Sequence, residues 1–320
     1  MKTVLIIASI ILVLGGILIG VGYLILQKYP VEMNTVKDSV YKYSIENLPQ
    51  EINVTTLDSR VEFLPIDGEE WRVECKDTEQ LYHTVELVDG VLTVKQTGTL
   101  RKWYEYIGVL SGSFETLSVI VYLPEQAYTA LGVYSTSGSI KVRENFIFEN
   151  ASLQSTSGSI LCNARVLGVL DVKNTSGSIT VGGFEGGDLT VKNTSGSIHI
   201  LGGVNGNLDV TNVSGSIEIK DAVPVSVTVR NTSGSIDLIN VICTEACNIE
   251  NGSGSIELKR CDAASFDLKS ISGGIRASLL STKTFDCHTT SGSVHVPKDG
   301  NGGTFRAKTV SGGIRITVTE

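Results

Sequence analysis

The hydrophobic pattern of the C-terminal part of the chain repeats every 19 or 20 residues. Each repeat contains a version of the phrase Thr-Ser-Gly-Ser-Ile, complete at Thr175–Ile179 and again at Thr194–Ile198. So short a period predicts one small structural unit per repeat, stacked on its neighbours. The glycines of the phrase are Gly138, Gly158, Gly177, Gly196, Gly215, Gly234, Gly254, Gly273, Gly292 and Gly312.

Apolar side chains occupy fixed positions around each of these glycines. They stand two and four residues after it, and five and seven residues before it. This alternation predicts two half-buried strands per repeat, joined at the Ser-Gly-Ser phrase. A less regular apolar position indicates a third side, as at Val166, Phe184, Val204 and Cys261. We therefore predict an all-β fold, a parallel β-solenoid of about ten coils, roughly 50 Å long at about 4.8 Å per coil.

The Ser-Gly-Ser phrase is interpreted as the corner of a coil. Glycine suits a corner because it adopts positive φ without a steric penalty. Asn stands three residues before the glycine in five repeats, and stacked Asn amides are predicted to form a hydrogen-bonded ladder. The alternative is that each Asn-x-Ser is a glycosylation site. The five are Asn174, Asn193, Asn212, Asn231 and Asn251.

Residues 51–130 show a less regular β pattern. Residues 85–94 predict a hairpin that turns at Asp89-Gly90, and Leu117–Leu123 predicts a further strand ended by Pro124. We interpret this part as a cap with the first irregular coils. The alternative for its aromatic cluster is a platform for a carbohydrate or a protein partner. That cluster consists of Trp103, Tyr104 and Tyr106.

The N-terminal residues predict a membrane anchor. Residues 4–27 are apolar and uncharged for longer than the roughly 20 residues that a bilayer requires, so one transmembrane helix is expected to contact the lipid bilayer. A cleaved signal peptide is the alternative. The predicted organisation is a single-pass cell-membrane protein with its C-terminal domain extracytoplasmic. Its parts are a cytoplasmic tail (1–3), the anchor (4–27), a stalk (28–50), the cap (51–130) and the solenoid repeats (131–320).

Charge and cysteine content narrow the possible partners. The formal net charge of −8 and the absence of a basic block argue against nucleic-acid binding. Three of the six cysteines replace aliphatic residues or Phe in the inward columns, and Cys261 lies on the third side. Such thiols behave as small buried hydrophobes. A Cys243–Cys261 disulfide is the alternative.

Three residues after the corner glycine, at a position predicted to face outward, three successive repeats carry an acidic residue: Glu218, Asp237 and Glu257. This acidic stripe is interpreted as a solvated face flanked by Lys220 and Lys259, and the alternative is a surface for a divalent cation or a basic partner. No nucleotide-binding loop, metal-ligand spacing or nucleophile-plus-base motif is recognisable. We therefore predict no catalytic residue, no cofactor and no metal.

The strand Val119–Pro124 followed by repeated Thr-Ser-Gly-Ser-Ile resembles the bacterial putative-adhesin family, a β-strand-repeat domain of unknown function. The resemblance extends over about residues 50–320 and implies a Gram-positive-type envelope protein. The expected function is non-enzymatic adhesion, binding or scaffolding, with an envelope glycan or protein as partner. The alternatives are a sensor or regulatory partner in envelope-stress signalling and an envelope-polysaccharide enzyme. Weak self-association is expected at the open edge of Thr317–Glu320.

Overall fold

The computed structural model describes residues 36–98 and 117–319, whose regular secondary structure is β-strand with one exception. A 3-10 helix at Ile45–Asn47 is the exception. The strands are β1 (Lys37–Ser44), β2 (Glu51–Thr56), β3 (Arg60–Pro65), β4 (Glu70–Asp77), β5 (Leu81–Val88), β6 (Val91–Gly98), β7 (Ser118–Leu123), β8 (Ala127–Ser135), β9 (Ile140–Val142), β10 (Ile147–Ser155), β11 (Ile160–Cys162), β12 (Arg165–Val166), β13 (Leu170–Ser176), β14 (Ile179–Gly182), β15 (Leu189–Ser195), β16 (Ile198–Leu201), β17 (Asn207–Ser214), β18 (Ile217–Lys220), β19 (Ser226–Ser233), β20 (Ile236–Ile239), β21 (Ala246–Ser253), β22 (Ile256–Cys261), β23 (Ser265–Ser272), β24 (Ile275–Leu279), β25 (Thr284–Ser291), β26 (Val294–His295), β27 (Thr304–Ser311) and β28 (Ile314–Val318).

Two long sheets form the rod, and the predicted parallel solenoid is confirmed. Each corner glycine lies between a strand of one sheet, which we call the leading sheet, and a strand of the other, the trailing sheet. From β8–β9 to β23–β24 the coils stack in chain order with parallel, in-register pairing, so that Val191 pairs with Val210 and Ile198 with Ile217. The leading sheet runs β25-β27-β23-β21-β19-β17-β15-β13-β10-β8-β2-β6-β5, with β12 paired to β10. The trailing sheet runs β1-β4-β7-β3-β9-β11-β14-β16-β18-β20-β22-β24-β28-β26.

The core lies between the sheets and follows the predicted columns. In one representative coil Leu189, Val191, Ile198 and Ile200 are fully buried, and Phe184 closes the third side. Each fully buried aliphatic or aromatic side chain contributes about 1.5–3 kcal/mol of transfer free energy. A repeated column of such residues therefore explains why the coils stack in this register.

At the N-terminal end the coils do not follow chain order. The first coil, β2–β3, lies between two other pairs of strands. On one side is β8–β9, and on the other is β6–β7, although β6 and β7 come between β3 and β8 in the sequence. The antiparallel strands β5, β4 and β1 then extend the two sheets. The predicted hairpin at 85–94 is confirmed as the β5–β6 turn. Strand β1 also lies within the predicted stalk, and its Tyr43 stacks on buried Trp71 with ring centroids 4.3 Å apart.

At the C-terminal end, too, the coils do not stack in the order of the sequence. Strands β27 and β28 lie between β23–β24 and β25–β26, although β25–β26 precede them in the chain. The outermost strands of the described C-terminal end are β25 and β26, where Val294 and Val296 are 38% and 40% exposed. Strand β26 pairs only with Ile314 and Arg315 of β28, so the open edge expected at Thr317–Glu320 stays a prediction.

The anchor predicted at residues 4–27 lies outside the described residues. Among residues 36–98 and 117–319, no helix is long and apolar enough to cross a bilayer.

Candidate functional site

The corners of the rod give each coil a fixed hydrogen-bonding pattern. From Gly177 onwards the corner glycines have positive φ, as predicted, but Gly138 and Gly158 do not. Glycine is still required at Gly158, because a Cβ atom there would lie 2.1 Å from the carbonyl oxygen of Gly138. The corners therefore need glycine for two reasons, backbone conformation and close approach between coils.

The Asn column lies just beneath these corners, and its bonding differs from the predicted ladder. Each Asn donates from Nδ2 to the carbonyl oxygen of the corner glycine one coil before, for example Asn212 to Gly196 at 3.0 Å. The amides thus bond to the backbone rather than to each other. Asn212 is 1% exposed, so this side chain also does not present a sequon to solvent. The other bonds are Asn174 to Gly158, Asn193 to Gly177, Asn231 to Gly215 and Asn251 to Gly234.

A groove runs along the leading sheet beside this column. One wall is formed by the side chains four residues before each corner glycine. The other wall is formed by the side chains two residues before each corner glycine. Two segments of the groove share Thr211 and Val213, so it is continuous from Gln154 to Ile271. Seven coils at about 4.8 Å spacing make it roughly 29 Å long. The cationic side chains on its first wall are Lys173, Lys192, Arg230 and Lys269.

The charges of the groove are mixed. Lys269 lies 3.1 Å from Glu250 and 3.4 Å from Asp267, and the Glu250 carboxylate is the main cause that raises the pKa of Lys269. Arg230 lies 3.9 Å from both Asp209 and Glu250. The opposite wall carries exposed apolar side chains, with Val213 46% and Ile271 65% exposed. The surface therefore offers donors, acceptors and apolar contacts in a linear series.

The acidic stripe lies on the other face of the rod, in the trailing sheet. Glu218 pairs with Asp237 and Asp237 with Glu257 in the register. Lys220 lies 2.7 Å from Glu218 and Lys259 lies 3.1 Å from Glu257. The Lys220 ammonium lowers the pKa of Glu218, whereas burial first and then the Glu257 carboxylate raise the pKa of Asp237.

Trp103, Tyr104 and Tyr106 lie outside the described residues. In the part of the chain that the structure describes, no group of three or more His, Cys, Asp or Glu could hold a metal ion. The six cysteines are free, and burial raises the pKa of Cys162 to about 12.

Sequence reasoning identified the acidic stripe but missed the groove. The signal was present, because basic residues recur four positions before the corner glycine, on the outward side of the strand. What the sequence alone does not reveal is that this column and the corner residues enclose a depression between them.

The sequence that forms the corners, sheets and core matches the profile of a known family. The profile of the family described as Toastrack DUF4097 matches residues 49–241 and 222–320. The chain belongs to the Toastrack DUF4097 family. The resemblance inferred from the repeated phrase is thereby confirmed, and no curated protein matches the sequence.

Several solved structures resemble this Toastrack chain. A putative lipid binding protein from Parabacteroides distasonis is 14% identical, with 89% of this chain and 98% of that chain covered and a TM-score of 0.42. A putative adhesin from Bacteroides fragilis is 12% identical, with 88% and 97% covered and a TM-score of 0.34. A putative cell adhesion protein from Clostridium sporogenes is 9% identical, with 89% and 100% covered and a TM-score of 0.22.

Proposed function

We propose that this Toastrack protein is a membrane-anchored, extracytoplasmic rod that binds an extended partner of the cell envelope without chemical conversion. The observation that carries the proposal is the groove of the leading sheet. Each coil presents one polar side chain on the first wall of the groove, so a polymer with a regular repeat can contact several coils in succession. The apolar run at residues 4–27 supports the anchor.

A glycan strand fits this groove better than a folded protein does. The ammonium, guanidinium, carboxylate and hydroxyl groups along the groove can donate to and accept from sugar hydroxyls, and Val213 and Ile271 offer apolar contacts to sugar rings. Each single contact on such an exposed surface is weak. Binding of a polymer therefore relies on several coils acting together.

The experiment is a co-sedimentation of the full chain, in detergent micelles, with insoluble cell-wall glycan. The groove variant Lys192→Glu/Arg230→Glu is compared with the matched variant Lys220→Glu/Lys259→Glu, which makes the same charge change on the opposite sheet. We expect the groove variant to lose at least tenfold in bound fraction and the matched variant to bind like the parent. Equal binding by both variants, or no binding by the parent, would contradict the proposal.

The proposal includes weak end-to-end association at β25 and β26. These are the outermost strands of the described C-terminal end, and an unpaired edge favours pairing with a second chain. Sedimentation velocity of the full chain in micelles tests this point. A single species of constant size over a hundredfold concentration range would contradict it.

A further inference from the structure

A buried cluster of four polar side chains lies at the N-terminal end of the rod. Ser59 Oγ lies 3.1 Å from His83 Nε2, and His83 Nδ1 lies 2.5 Å from Asp77 Oδ1. Because Asp77 accepts from the Nδ1 hydrogen, Nε2 carries the lone pair and accepts the Ser59 hydroxyl proton. This is the order of a serine nucleophile, a general base and an orienting carboxylate.

The fourth side chain places a carboxamide beside the nucleophile, with its N–H group facing the Ser59 hydroxyl. Gln96 Nε2 donates to Ser59 Oγ at 2.9 Å. Gln96 Oε1 accepts from two backbone amides, those of Leu57 at 2.7 Å and Asp58 at 2.9 Å. Two backbone N–H groups that converge on one carbonyl oxygen have the geometry of an oxyanion hole, which stabilises the negative charge of a tetrahedral intermediate.

The cluster is closed to solvent. Ser59 is 0% exposed, His83 2%, Gln96 4% and Asp77 6%. Burial lowers the pKa of His83, against the opposing effect of Asp77, so that the imidazole is neutral and able to accept a proton. The Ser59 hydroxyl is therefore closed to an external substrate, and the carboxamide beside it belongs to the protein itself.

We propose that Ser59 and Gln96 form an intramolecular ester. The Ser59 hydroxyl proton moves to His83 Nε2 while Oγ bonds to Gln96 Cδ. The backbone N–H groups of Leu57 and Asp58 hold the resulting oxyanion. The bond between Cδ and Nε2 then breaks, the proton passes from His83 to the departing nitrogen, and one molecule of ammonia leaves. The products are the Ser59–Gln96 ester and ammonia, with no oxidant or co-reactant required.

The position of this cross-link fits the exchanged order of the coils. Ser59 occupies the corner of β2–β3, next to the corner of Gly138, and Gln96 follows Lys95, which pairs with Thr55. An ester between them joins the outermost coil, β6–β7, to the next coil at the corner. The cross-link would join two coils at the N-terminal end of the rod. The hydrogen bonds from Asn to the corner glycine belong to the middle coils.

The test is the intact mass of the full chain under denaturing conditions, followed by mapping with a protease that cleaves after Glu. We expect a mass lower than that of the sequence by one ammonia. Cleavage after Glu would then yield a branched product in which the peptide 52–62 is joined to the peptide 87–105. Mapping is essential because Asn-Gly sequences, such as Asn251-Gly252, also lose ammonia when they form succinimides.

Two variants separate the cross-link from other modifications. Ser59→Ala is expected to restore the full mass of its sequence. Ser135→Ala removes another buried hydroxyl of the neighbouring coil, which is bonded to Thr56 rather than to the cluster, and is expected to keep the ammonia loss. The proposal is overturned if the parent chain has its full sequence mass, or if the ammonia loss maps elsewhere.

Discussion

The middle coils and the two ends of the rod are stabilised in different ways. In the middle, from β13 to β22, every coil repeats the same corner, with a glycine at positive φ and an Asn bonded to the coil before. At both ends the coils leave chain order, and the contacts are individual. The N-terminal end has the Ser59–Gln96 cluster, and the C-terminal end has Lys283, which is 2% exposed.

Lys283 shows what an individual contact does at an end. Its ammonium group donates to the carbonyl oxygens of Ala263 at 2.7 Å and Gly302 at 2.5 Å, and lies 2.7 Å from Asp262 Oδ1. Ala263 belongs to an earlier coil, whereas Gly302 precedes the inserted strand β27. One side chain thus ties together the two chain segments between which the coil order changes.

Replacement of this ammonium is expected to have the largest effect. Lys283→Met leaves Asp262 and two carbonyl groups without their cationic partner, which costs about 3–5 kcal/mol of the free energy of unfolding. The measurement is denaturant unfolding of the full chain in micelles. Lys269→Met, an exposed lysine of the groove, is the control and should change stability by less than about 1 kcal/mol. Equal effects of the two variants would show that Lys283 does not fix the end.

A smaller effect is expected in the middle of the rod. Gly215→Ala places a Cβ atom 2.3 Å from the Gly196 carbonyl oxygen at a residue with φ of 127°, so we expect a loss of about 2–3 kcal/mol. Gly274→Ser is the control, because Gly274 does not have positive φ and most coils carry Ser at this corner position. If the Ala variant is as stable as the Ser variant, the corner account of the middle coils is wrong.

The smallest effect concerns the acidic stripe. The raised pKa of Asp237 means that its carboxylate disfavours the folded state at neutral pH, and that this penalty disappears as the pH falls below about 4. Asp237→Asn should therefore raise stability by a few tenths of a kcal/mol at pH 7 and by nothing at pH 3. Melting temperatures of both proteins at the two pH values test this. A gain that is independent of pH would contradict the electrostatic explanation.

These differences explain what the sequence could and could not predict. In the middle, the inward residues, the corners and the register all follow from one period, because each position has the same surroundings in every coil. The order of the last two coils does not follow, since Phe285 and Phe305 occupy the same column and either order buries the same pattern. No sequence motif indicates the contact between Ser59 and Gln96, because strands β4 and β5 separate the two residues in the chain.

The exchanged order of coils at the C-terminal end is the central structural claim, and disulfide trapping tests it directly. Arg276 pairs with Arg315, and Arg315 pairs with His295, so Arg276 and His295 are two coils apart, about 9.6 Å. Disulfides require Cα atoms within about 7 Å. We predict that Arg276→Cys/Arg315→Cys forms a disulfide on mild oxidation, whereas Arg276→Cys/His295→Cys does not. The reverse result would show that the coils stack in chain order and would contradict this account.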